Sequence, residues 1–289
     1  MDVTVNDGPA PRSYLVDVWR RLGRTPGSVA GLAIVAAIVL AAVLAPLLAP
    51  ADPLAQNLAN AAQPPSLSHP LGTDKLGRDL FARILYGAQI SIRIGFVAVG
   101  LAISVGTAIG LVAGYFGGKI DAWLMGAMDL MLAFPPIILA IAITTILGPS
   151  ITNVMIAVGI VYIPQYARLA RSAVLAVKET AYIEAARAIG ALAPRILLRH
   201  VLPNILAPLL VQATLGIATA ELEAAGLSYL GLGARPPAPE WGAMLNDARS
   251  YWLSAPWALI FPGAAITLLV LGFNLLGDGL RDALDPKLR

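Results

Sequence analysis

The sequence predicts an all-α membrane protein with six transmembrane helices. Three observations point there. Hydrophobic residues make up 58% of the 289 positions while charged ones make up 13%, about half the charged share of a soluble domain. Mean hydropathy is +0.76. The apolar residues also gather into runs near the ~20 residues that cross a hydrocarbon core of about 30 Å, separated by segments rich in proline and charge. The net charge of +3 is small and unevenly spread, so its distribution says more than its sum and gives no reason to expect a nucleic-acid partner. With no cysteine there is no disulfide, no thiolate nucleophile and no cysteine-based metal site.

Residues 1–28 form a polar tail carrying Arg12, Arg20, Arg21 and Arg24, and residues 29–49 supply the first span. A cleavable signal peptide is the rival reading, but both the leading segment and the apolar core are too long for one. Residues 50–89 form a connection in which Pro50, Pro53, Pro64, Pro65 and Pro70 oppose continuous helix, each ring removing a donor. His69 and Asp74 within it invite a metal reading. With two histidines in the whole chain, a structural turn is the better one.

The second span is expected over residues 90–116. Ala102, Gly106, Gly110, Gly114 and Gly118 recur there every fourth residue, a stripe that lets another helix backbone approach closely in lipid. Sequence leaves open whether that helix lies in this chain or another. Arg93 is read as snorkelling to the interface. The third span, residues 123–147, contains Pro135 and Pro136, which should kink it, and Asp129, which should turn toward protein and pair with Arg168 or Arg171. The fourth covers residues 151–164, and its continuation through Arg168, Arg171 and Lys178 leaves the bilayer and enters the next loop. The fifth covers 205–220, followed by Glu221 and Glu223, and the sixth covers 259–276. Trp241, Trp252 and Trp257 suit a headgroup boundary.

Between the fourth and fifth spans lies a charged interruption with a definite shape. Thr180 suits a helix N-cap, Glu184 lies near the positive end of the helix dipole, Gly190 can end the helix in a left-handed conformation, and Pro194 suits the first turn of the next helix. The result is helix, turn, helix. Ala185 and Ala186 should give the first helix a smooth wall, with Tyr182, Ile183 and Ile189 offering apolar contacts and Arg187 and Ala188 completing the surface.

Glu184-Ala185-Ala186, Gly190 four residues on, Ile196 and Leu202-Pro203 together resemble the cytoplasmic EAA loop, here residues 178–203, of ABC importer permeases. Glu223-Ala224-Ala225-Gly226 repeats the tripeptide without the spacing. The segments His69 to Asp79, Pro236-Pro237 with Pro239 to Gly242, and Gly277 to Asp282 are similar to the dipeptide and oligopeptide branch, C-type subunit. The resemblance implies a type I ABC importer permease fold with a transmembrane core over residues 90–278 and a cytoplasmic tail over 279–289. It further implies a first loop helix that docks into an ATPase subunit, and alternating access driven by two ATPase subunits that bind ATP and magnesium. The expected partners are a second homologous permease, an extracytoplasmic substrate-binding protein and the lipid bilayer. Di- or oligopeptides are the implied cargo, with nickel or glutathione as alternatives.

Charge counting agrees with a cytoplasmic loop. With six spans, the side holding both termini and the EAA loop carries fourteen basic residues, against five (Lys75, Arg78, Arg83, Arg235 and Arg249) on the other. Catalytic signatures are missing from the sequence. Gly118-Lys119 lacks both the earlier glycine and the following Ser or Thr of a phosphate loop, since Ala113 and Ile120 stand there. ATP hydrolysis is therefore assigned to partner subunits, with no cofactor in this chain. An independent secondary transporter, the alternative from another class, would call for ionisable residues at midmembrane and an inverted repeat.

Overall fold

A computed structural model describes residues 20–284. Arg12 and the last basic residues, Lys287 and Arg289, lie outside the described residues. Most of the described residues are helical. Helix α1 (Pro26–Val43) begins with proline in its first turn, where no N–H is needed, and α2 (Ala45–Leu48) continues it after a turn at Leu44. The proline-rich connection follows and ends at Asp79, whose carboxylate accepts from the Ala82 N–H at 2.8 Å and so starts α3 (Leu80–Phe116). That helix begins ten residues before the expected start at residue 90. Arg83 is buried within this stretch, its guanidinium donating to the Pro53 and Pro237 carbonyls. At about 1.5 Å per residue, α3 runs for about 55 Å, well beyond a hydrocarbon core.

The expected third span is two helices, α4 (Gly118–Leu132) and α5 (Pro136–Leu147), meeting at 92°. Pro135 is extended (ψ 131°) and Pro136 opens α5, so the two missing donors break the helix where a kink was expected. Helix α6 (Ile151–Lys178) runs through Pro164 and continues past the expected span to Lys178, as its sequence led one to expect. After the loop come α7 (Ala181–Ala188), α8 (Ala193–Ile196), a π-helical turn (Leu197–Val201) and α9 (Leu202–Tyr229). Helix α9 takes in Glu221 and Glu223, which sequence placed beyond the span. Helix α10 (Trp241–Ala248) and α11 (Trp257–Leu284) complete the described residues, with the segment from Gly277 to Asp282 helical rather than a polar tail.

Among the described residues, four helices are long and apolar enough to cross a membrane, or five if the bent pair α4 and α5 forms one span. Helix α6 falls short of that apolar criterion because it carries Asn153, Gln165, Arg168 and Arg171. Much of α6 is enclosed by other helices, which relaxes the demand for apolar side chains.

Two close seams hold the bundle together. Along α3, a Cβ added to Gly106 would lie 2.7 Å from the Ile163 carbonyl oxygen and the Tyr166 Cβ. One at Gly110 would lie 2.6 Å from the Ala170 Cβ, and one at Gly114 would lie 2.8 Å from the Val174 Cβ. The stripe therefore packs on α6 of the same chain. Gly118 does not belong to it: α3 has ended, Gly118 has φ +54°, and a Cβ there would meet nothing within 4 Å. The second seam joins α1 to α11, where a Cβ on Gly31 would come 2.6 Å from the Leu276 nitrogen and 2.8 Å from the Gly272 carbonyl oxygen.

Opposite the α7 loop, the connection from His69 to Asp79 is tied to α10 and α11. The carboxylate of Asp74 accepts from the Leu76 and Arg78 N–H groups at 2.9 and 3.0 Å and from Arg78 Nε at 2.5 Å. His69 Nδ1 lies 2.9 Å from Asp79, not against Asp74. Among the described residues, no group of three or more His, Cys, Asp or Glu is arranged to hold a metal. Trp257 Nε1 donates to the Thr73 carbonyl at 3.1 Å and Trp241 Nε1 to that of Ile84 at 3.2 Å. Trp241 is 1% exposed, so it is a core anchor and not the interfacial ring expected. Glu240 caps α10 through the Gly242 and Ala243 N–H groups at 2.8 and 2.7 Å. Burial pushes its carboxyl above the ordinary value, and those two donors oppose the rise.

Candidate functional site

The loop between α6 and α9 is built by local rules. Thr180 occupies the N-cap of α7 with an extended backbone, and its carbonyl accepts from Ile183 and Glu184. Its hydroxyl does not cap as expected. It donates backward to the Val177 carbonyl at 2.6 Å, which fastens the end of α6 instead. The stop at Gly190 is a glycine with φ +81°. The Gly190 N–H donates to Arg187 O at 2.9 Å and the Ala191 N–H to Ala186 O at 3.0 Å, the paired bonds of a left-handed helix ending. Pro194 then lies in the first turn of α8.

Helix α7 is amphipathic over two turns. Ile183 is 0% exposed and Ala186 7%. Their spacing of three puts both on one face, turned into the protein. Tyr182, Glu184, Ala185, Arg187, Ala188 and Ile189 are exposed. This corrects the sequence reading in two places. Ala186 and Ile183 anchor the helix, while Ala185 and Ala188 form its open wall. Ile189 at 86% and Leu192 at 76% exposure extend an apolar surface past the helix end. Leu192 had been missed, although its place two residues after the glycine stop marks it as part of the turn.

The helix is also fixed to its neighbours through charge. The Arg187 guanidinium lies 5.1 Å from the centre of the Tyr115 ring near the end of α3. Lys178 Nζ donates to the Gly114 carbonyl at 3.1 Å. Arg168 meets Asp129 at 2.6 Å, one of the two partners expected for that carboxylate. Arg171 forms a two-pronged pair with Asp121, both bonds at 2.5 Å, which sequence did not suggest. Arg187 thus ties α7 to α3, and the other three contacts join α6, the helix before it, to α3 and α4. The exposed face carries one acid, one base and small or apolar side chains.

Known proteins match this chain along its length. Residues 106–289 match the family described as binding-protein-dependent transport system inner membrane component. Residues 13–65 match the N-terminal transmembrane domain of oligopeptide transport permease C. The dipeptide transport system permease protein DppC of Alkalihalophilus pseudofirmus is 51% identical over 289 residues, covering 98% of this chain and 95% of that one. The glutathione transport system permease protein GsiD of Pectobacterium atrosepticum is 52% identical over 225 residues, covering 78% and 75%. A chain of the MetNI methionine ABC transporter in an inward-facing form shares the fold, with a TM-score of 0.57 at 22% identity, over 70% of this chain and 97% of that one. With its fold, its exposed loop helix and these matches in agreement, the chain belongs to the family of binding-protein-dependent transport system inner membrane components.

Proposed function

We propose that this chain is one of two permease subunits of an ATP-driven dipeptide importer and that α7 is where the work of an ATPase subunit enters it. The observation that carries the coupling role is α7 itself: a two-turn helix anchored by Ile183 and Ala186, ended by Gly190 and open on its other side. Six spans are formed by α1, α3, the broken pair α4 and α5, α6, α9 and α11. Both termini and α7 are cytoplasmic, as the excess of basic residues on that side supports. Partner ATPase subunits bind ATP and magnesium. Their closure pushes α7, and α3, α6 and α9 shift between inward-open and outward-open arrangements. A second permease completes the pathway, and an extracytoplasmic binding protein delivers cargo to the end bearing α10.

For the cargo, the dipeptide relative matches nearly the whole chain, whereas the glutathione relative matches 78% of it. The fuller match favours dipeptides. Two experiments test the rest. Single cysteines at Ala185 or Ala188 should crosslink to cysteines placed on the ATPase, while inward-facing Ile183 should not. If no position from Glu184 to Gly190 crosslinks while another cytoplasmic loop does, the coupling reading is wrong. A tag inserted at fully exposed Leu67 should be cleaved in right-side-out vesicles, and protection there would reverse the topology.

A further inference from the structure

The acidic residues of α4 and α9 fall into two groups, paired and unpaired, and in the second Glu221 is fully buried with neither carboxylate oxygen hydrogen-bonded. Asp121 and Asp129 on α4 each face an arginine of α6. Glu223 on α9 forms no ion pair among the described residues. Its Oε1 accepts from the Tyr162 hydroxyl of α6 at 3.4 Å, and its Oε2 is enclosed without a hydrogen-bond partner. The side chain lies about 9 Å along the axis from the end of α9 at Tyr229, at about 1.5 Å per residue, inside the apolar stretch.

Positions 212, 216, 219, 223 and 226 alternate spacings of four and three and so share one face of α9. That face reads Gln, Gly, Thr, Glu, Gly. The face is closed at Gly216, where an added Cβ would meet the Tyr166 hydroxyl, and opens beyond it: Thr219 is exposed, Glu223 is half-buried, and a Cβ on Gly226 would meet nothing within 4 Å. Facing lipid, a carboxylate on such a stripe would be strongly disfavoured. Ionisable side chains in spans turn instead to protein or to a water-filled path.

The hydrogen-bonding pattern narrows what this face could receive. Tyr162 gives its proton to Glu223, and the Thr219 hydroxyl gives its own to the Leu215 carbonyl at 3.2 Å. Both hydroxyls are then left with lone pairs only. A carboxylate one helical turn from one acceptor hydroxyl and bonded to another suits a cation that only donates. An ammonium has three such donors. The amino terminus of a peptide is an ammonium, so we propose that Glu223, with Tyr162 and Thr219, receives the protonated amino terminus of the cargo on its way through the membrane. This rests on the peptide reading above.

The complete importer in proteoliposomes, supplied with its binding protein and a dipeptide with a free amino terminus, tests it. Glu223→Gln keeps the size and an acceptor for Tyr162 but removes the charge. Uptake should fall about ten-fold, equivalent to about 1.4 kcal/mol, with KM unchanged and fewer peptides carried per ATP hydrolysed, while Glu223→Asp regains part of the loss. Unchanged uptake and stoichiometry in Glu223→Gln would overturn the inference. So would reduced assembly of that variant, which marks a structural role. Thr219→Cys should react with a water-soluble maleimide in the resting or the vanadate-trapped importer, and more slowly with saturating dipeptide. A cysteine unreactive in every state places this face against protein or lipid and sinks the proposal. An importer that takes up no peptide overturns the cargo reading and the ammonium assignment with it but leaves Thr219→Cys reactive, so the two failures are told apart.

Discussion

The α3 stripe and the end of α7 both depend on glycine, for opposite reasons. At Gly106, Gly110 and Gly114 the backbone is ordinary helix and the space is full, with α6 atoms standing where a side chain would go. At Gly190 nothing lies within 4 Å of an added Cβ, but φ is +81°, a conformation that side chains disfavour. One region needs a missing side chain for packing, the other for backbone shape. Damage at the first should therefore spread through the bundle, whereas damage at the second should stay within the loop.

The largest effect is expected from Gly110→Leu. Overpacking commonly costs about 1–3 kcal/mol and occasionally more, and here the obstacle is helix backbone that cannot rotate away. Complex yield after size-exclusion chromatography and thermal stability should both collapse. Normal yield would show that the seam is not tight.

Next comes Ala188→Glu on the open wall of α7. Yield and melting temperature should match the parent, while substrate-stimulated ATP hydrolysis falls about ten-fold, the equivalent of about 1.4 kcal/mol of docking energy. Ala186→Glu sharpens the contrast: its position is buried, so assembly should suffer along with hydrolysis. Equal behaviour of the two variants would mean that α7 is oriented differently.

Gly190→Val should cost roughly 1–2 kcal/mol through the left-handed backbone. Insertion should persist and stimulated hydrolysis decline, and Gly190→Asn should recover much of it because asparagine tolerates that conformation. If asparagine and valine fail alike, backbone shape is not the reason for the glycine. The smallest effect is expected from Arg171→Ala. Its pair with Asp121 is partly exposed, with side-chain accessibility of 33% and 18%, so it is worth at most about 1 kcal/mol. A larger fall in thermal stability would assign this pair a structural weight comparable to the seam.

The loop between α6 and α9 was more legible in sequence than the spans beside it. Gly190 and Pro194 announce an ending and a beginning through properties of single residues, and the structure uses both in that way. The start of α3 was misjudged because Asp79 and Arg83 look like loop until other segments satisfy them. Arg83 donates to the Pro53 and Pro237 carbonyls at 3.1 and 3.2 Å, the latter 154 residues away. Such partners leave no trace in a hydropathy pattern.

The sequence by itself determined that this chain lives in a membrane, where its helices carry small-residue stripes, and that a glycine-ended helix interrupts the spans. Each of these depends on composition or on residues within about four positions of one another, the reach of a helix turn. Tertiary structure alone decided that the stripe packs on α6, that Gly118 stands outside it, that Pro135 and Pro136 break the helix by 92°, and that Ile183 and Ala186 face inward. It also decided that Asp121 meets Arg171, 50 residues away. Those outcomes follow from which helices come to lie side by side, and a partner brought close by folding is not encoded in any local spacing.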